Sequence, residues 1–168
     1  MEPIGIMTSN SFIDNTGSIG DYKQKTTLNV YFSDNTGKAL VAIPVDITYN
    51  ATISLEQLAI EQLISGPYTI EGVSKNNVLP TIPKGTVLNK VTVKENTCYA
   101  DFSKEFLNKE DNITDYVAIY SVVNTLVELP SVNKVQFSID GEQVLKYNQN
   151  INFGEAFERN LDLVRETK

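Results

Sequence analysis

The stretch that decides the fold is Val122–Glu142, "VVNTLVELPSVNKVQFSIDGE". Its opening continues an apolar helical period as far as Leu129. Pro130 cannot lie inside a helix and disfavours helical backbone in the residue before it, so the helix is predicted to end near Leu129. Val135, Phe137 and Ile139 then alternate with Gln136 and Ser138, the period of a strand with one covered face. Asp140-Gly141 closes the segment with a strong short-hairpin signal ahead of Glu142 to Leu145. A helix, a proline stop, a strand and a turn use almost every residue for architecture and leave little for chemistry.

Working outward, Asn112 is predicted to cap the helix, with Ile113, Val117, Tyr120, Val123 and Val127 on its apolar face. Before it, "TVLNKVTVKENTCYADF" reads as a hairpin turning at Glu95 and Asn96. A two-residue loop sets Val93 opposite Cys98 and Val91 opposite Ala100, and this agreement between apolar sides supports the register. "SLEQLAIEQLISGP" is an earlier helix. Ser54 with Gln57 fits a capping box, and Gly66 followed by Pro67 stops it. Further upstream, "LNVYFS" alternates Leu28, Val30 and Phe32 against Asn29, Tyr31 and Ser33. It turns at Asp34–Gly37 into a run, Ala39 to Ile47, whose Pro44 marks an edge strand or a bulge.

The order is therefore β-β-α-β-β-α-β, with room for a last short strand. The predicted class is α+β, with two helices packed on one face of a largely antiparallel sheet. Residues 1–26, polar and aperiodic, read as a flexible N-terminal linker. The domain spans 27–147. In the tail, 148–168, Phe153, Phe157, Leu161 and Val164 recur at near-helical spacing, which suits a short docked helix or a frayed amphipathic end.

The 168 residues, 41% hydrophobic, suffice for one ordinary core. Fourteen basic against 21 acidic side chains give a net charge of −7, which argues against nucleic acid as a partner. Histidine is absent and Cys98 is the single cysteine, so an internal disulfide is impossible and a zinc site is not expected. Cys98 is predicted to be buried in its strand. No apolar run approaches the roughly 20 residues of a membrane span, and the opening lacks the pattern of a secretory signal.

Two serine patterns resemble those of penicillin-recognising enzymes, Ser131-x-x-Lys134 and Ser33-Asp34-Asn35. Neither has the required context. Ser131 follows a proline and leads into a strand, and Lys84-Gly85-Thr86 has the wrong order for the third motif. Asp140 and Glu142 are explained by the turn they flank. No catalytic residue, cofactor or metal ligand is assigned. If both helices cover one side of the sheet, the other side carries Tyr31, Thr92, Tyr99, Asp101, Gln136 and Ser138. Tyr31 and Tyr99 are the predicted partner-binding residues, because a tyrosine ring offers rigid apolar area beside a hydroxyl that tolerates water. The strand edge near Pro44 is a second place where a protein or another copy could dock.

Four pieces in this order, "LISGP" (63–67), "LPTIPKGT" (79–86), "YADFSKEF" (99–106) and "TLVELPSVNKVQFSIDG" (125–141), resemble the GerMN domain of the sporulation and spore-germination GerM family. The resemblance covers about Leu28 to Leu145, and the matching positions are structural. It implies a fold similar to ring-building-type domains and a non-enzymatic scaffold or interaction role in the cell envelope. Its partners would be envelope or sporulation-complex proteins, or other copies of the chain. It also implies an extracytoplasmic location, with lipoprotein anchoring through a segment absent from this chain. Two other readings remain beside it: a binding module for cell-wall or small polar ligands, and a carboxylate-based wall hydrolase.

Overall fold

In the computed structural model, which describes residues 23–149 and 151–166, the strands divide between two main sheets and one small hairpin. β1 (Gln24–Asp34) and β2 (Leu40–Tyr49) form a long antiparallel pair, and β3 (Val78–Leu79) joins the far end of β1. β4 (Leu88–Lys94), β5 (Thr97–Phe102) and β6 (Lys134–Ile139) make the second sheet. Only β5 and β6 run parallel in it. β7 (Lys146–Tyr147) pairs with β8 (Ile151–Asn152), and β9 (Phe157–Glu158) closes the second sheet beside β6. The helices are α1 (Leu55–Ser65) and α2 (Asp115–Leu126). The class is α+β, with two helices and antiparallel-dominated sheets. β1 starts at Gln24, inside the segment read as linker; residues 1–22 of that segment lie outside the described residues.

The β4–β5 hairpin has the register expected from its side chains, with Val93 opposite Cys98 and Val91 opposite Ala100. Glu95 and Asn96 both take positive φ, 52° and 64°, as a two-residue hairpin turn requires. Ser54 caps α1, its hydroxyl accepting from the Gln57 N–H at 3.1 Å. The cap of α2 is Thr114 rather than Asn112. Its hydroxyl accepts from the Val117 N–H, while its own N–H donates to the Gly37 carbonyl at 3.0 Å. The β1–β2 turn thus docks on the start of α2, and Asn112 is taken up by that contact.

α2 is buried nearly all round, from Val117 to Leu126 with only Tyr120 half-exposed, and this is the main departure from a helix lying on one sheet face. One side joins Val122, Val123 and Leu126 to the main core; the other meets Tyr31 and Leu40 through Val117 and Ala118. The Tyr31 N–H points away from β2 and donates to the buried Thr125 hydroxyl at 2.9 Å. The helix therefore covers a stretch of β1 edge that has no neighbouring strand and satisfies a donor there. β2 is an edge strand, as Pro44 suggested. Leu40 turns its carbonyl outward to the Arg165 N–H, and by the alternation of the ladder Pro44 also faces outward, so its missing N–H costs no sheet hydrogen bond.

Among its described residues the tail forms no α-helix, only a single 3-10 turn at Leu161–Leu163. Phe153 and Phe157 are buried, each delivered by its own short extended segment, so their helix-like spacing comes from two strands and a bend. Beyond them the chain runs back along α2. Asn124 exchanges two hydrogen bonds with the backbone of Asn160, and Val164 bridges to Leu40. The domain consequently extends at least to Arg165. Its centre is aromatic: Phe106 stacks on Phe102 at 4.6 Å and Phe137 on Phe153 at 4.8 Å, with Phe157 and Tyr147 edge-on around them.

Cys98 is fully buried, and burial followed by the nearby Glu56 charge pushes its thiol up to about 12. A thiol reagent at neutral pH is expected to leave the native protein unlabelled and to react stoichiometrically once denaturant is added. Fast labelling of native protein, followed by mass spectrometry, would contradict the hairpin register.

Candidate functional site

The inner side of β5 and β6 is fully committed, since Cys98, Ala100, Phe102, Val135, Phe137 and Ile139 all enter the core. By strand alternation their neighbours form the outer side: Thr92, Tyr99 and Gln136 share one row across β4, β5 and β6. Tyr99 is 45% exposed at the middle of that row. The next row contains Lys90, Asp101 and Ser138. Asp101 accepts from the Ser138 hydroxyl at 2.6 Å, the Gly141 N–H at 2.8 Å and the Asn89 amide at 3.1 Å. Burial alone would raise its carboxyl, but these three donors, helped by Lys90, hold it below the usual carboxylate range. It anchors the β6 turn to β5. On the far side Gln136 donates to the Gly154 carbonyl at 3.1 Å. The outcome is a polar, internally braced surface.

Five of the six residues expected on one polar face are brought together. Tyr31 is not among them, and its expected exposure is corrected: it is 5% exposed and belongs to the other sheet. Strand period correctly set it opposite Val30 and Phe32, but that opposite face is covered by α2 and the returning tail, which have no local signature in the β1 sequence. Its hydroxyl donates to Glu128 at 2.6 Å, and burial with that bond pushes its pKa to about 12. Tyr31 therefore acts as a tie between β1 and the end of α2.

Asp34 is almost fully buried at the β1–β2 turn. It accepts from the Thr36 N–H at 3.0 Å and its hydroxyl at 2.6 Å, and pairs with Arg165. Burial by itself would push its carboxyl up; Thr36 and Arg165 outweigh it and keep the group ionised. A general acid needs the opposite shift, so neither Asp34 nor Asp101 has an environment suited to donating a proton near neutral pH. Among the described residues no group of three or more acidic or cysteine side chains could hold a metal ion, and no helix is long and apolar enough to cross a membrane. The concavities among the described residues include one of about 250 Å³ beside Leu79, Pro80 and Glu110–Ile113 and an open one of about 400 Å³ on the β1–β2 pair beside Lys25, Thr27, Asp46 and Thr48.

The family described as "Germane: Sporulation and spore germination" matches residues 29–145. Spore germination protein GerM of Bacillus subtilis (strain 168) is 33% identical over 93 residues, covering 54% of this chain and 24% of that protein. The chain thus spans about a quarter of that relative's length. The structure of the tandem GerMN domains of the sporulation protein GerM from Bacillus subtilis superposes with a TM-score of 0.63 at 21% identity, over 90% of this chain and 49% of that one. A protein of Clostridium perfringens, named only as a candidate lipoprotein, gives 0.53 at 21% identity over 81% and 87%. At these identities the structural likeness is one of fold.

Proposed function

This chain belongs to the Germane family of sporulation and spore germination proteins, and from that premise we propose that it is a non-enzymatic interaction domain of the cell envelope. It works outside the cytoplasm, held at the membrane as a lipoprotein, and contributes a rigid surface to a sporulation or germination assembly. The location draws on the germination relative and on the candidate lipoprotein of like fold. The observation that carries the interaction role is the outer side of β4–β5–β6. Its polar groups are braced by one another, so a partner meets a surface that needs little ordering on binding, with Tyr99 presented at its centre.

Tyr99 alone is the informative position, because removing the buried Tyr31 would disturb the fold. Tyr99→Ala should leave the thermal midpoint within a few degrees of the parent. It should weaken association with envelope partners in sporulating cells of the native host by roughly thirtyfold, the cost of losing an aromatic anchor worth about 2 kcal/mol. Crosslinked complexes recovered in equal yield from Tyr99→Ala and parent would remove this face from the reading.

A further inference from the structure

We infer that the outer edge of β4 is a docking site for an extended partner segment in which apolar residues alternate with Asp or Glu. The inference rests on the interaction-domain reading and names the surface and partner chemistry for it. The sheet edges are not alike. β2 carries Pro44 facing outward and is bridged at Leu40 by the tail, and the β1 edge is held by β3 and Thr125. β9 has only two residues. β4 offers a seven-residue run without such a stop, and no strand lies beside it among the described residues.

Lys94 and Thr97 flank the two-residue turn and therefore bond to each other, as do Thr92 and Tyr99. The N–H and C=O groups of Val91 and Val93 consequently point out of the sheet, so an added strand finds donors and acceptors ready. Its side chains would fall into two classes. On the inner side, Val93 is 37% exposed and Val91 is half-buried, and both would gain cover from an apolar neighbour. On the outer side stand Lys90 and Lys94, both exposed; Lys134, in the same row as Lys94 across the sheet, is paired with Glu158 at 3.9 Å.

Those lysines decide the occupant. A second copy pairing antiparallel through Val91 and Val93 would set Lys90 of each copy against Lys94 of the other, and like charges directly opposite are destabilising. A segment with carboxylates at those positions gains two opposite-charge pairs instead. Lys90 already faces Asp101 and helps keep it ionised, but that carboxylate takes its hydrogen bonds from Ser138, Gly141 and Asn89, so the ammonium keeps donors for a partner.

The test titrates the full chain, labelled with nitrogen-15, with a short capped peptide alternating valine and glutamate, and with its valine–lysine counterpart. The expected result is saturable amide shifts and slowed hydrogen exchange at Val91 and Val93 with the glutamate peptide only. Lys90→Glu/Lys94→Glu, two exposed substitutions that leave the core untouched, should weaken that peptide on the order of tenfold or more. The same variant should begin to bind the lysine peptide. Val93→Pro, which removes an outward donor and no β4–β5 bond, should abolish both. Absence of binding at millimolar peptide, shifts centred on Tyr99 and away from β4, or indifference to charge reversal would each overturn the β4 assignment. The last two would do so while leaving the interaction-domain reading intact.

Discussion

Gly37→Ala is expected to lower stability by about 3 kcal/mol and the thermal midpoint by roughly 10 °C. Gly37 has a φ of +76°, a conformation costly for alanine. The steric clash weighs more heavily still. A Cβ built there lies 1.6 Å from the Asn112 carbonyl oxygen and 2.8 Å from its carbon, both backbone atoms that no rotamer change can move. Relief requires the β1–β2 turn to separate from the start of α2, which breaks the Thr114 N–H bond to the Gly37 carbonyl and loosens the cap. Chemical denaturation of parent and variant measures the difference. A loss below about 1 kcal/mol would show that the turn does not seat α2 as described.

Phe106→Ala should cost about 3–5 kcal/mol, as large-to-small changes at fully buried aromatic sites do. Phe106 has no exposure and touches four rings: Phe102, Phe137, Phe153 and Tyr147. These neighbours come from β5, β6, β7 and the tail, and each is fixed by its own backbone pairing. The cavity left by the ring can therefore collapse only by distorting several elements at once. Phe106→Leu refills part of the space and should recover more than half of the loss. The comparison is read from denaturant midpoints at unchanged slope. Equal stability of alanine and leucine variants would mean that the site relaxes freely.

The open face was legible at Thr92, Tyr99, Asp101, Gln136 and Ser138, because a strand period of two assigns sides without further information. At Tyr31 the same rule gave the correct side and the wrong environment. A period states which residues share a face, and it is silent on what comes from elsewhere to cover the other one. The hydrogen bonds that hold Asp101 are likewise non-local, joining β5 to β6, its turn and Asn89. Only Lys90, Thr92 and Lys94 on one side and Val91 and Val93 on the other could be read from β4 itself. Whether that strand had an outer neighbour could not.

What the chain determined by sequence alone was local. The Ser54 cap and Gly66 stop set α1, Glu95-Asn96 set the β4–β5 register, and the period of Lys134–Ile139 set which side of β6 is core. Each depends on backbone preference and side-chain alternation within a few residues. Tertiary structure decided the rest: the capture of α2 between two sheets, the shift of its cap from Asn112 to Thr114, and the burial of Phe153 and Phe157 in extended rather than helical backbone. In each case the chosen conformation is the one that satisfies a partner far away in sequence. A free β1 edge needs a donor met, the Gly37 carbonyl needs an N–H, and an aromatic core needs its last rings. Local propensity is too weak to resist those demands, being tenths of a kcal/mol per residue against several for a buried ring.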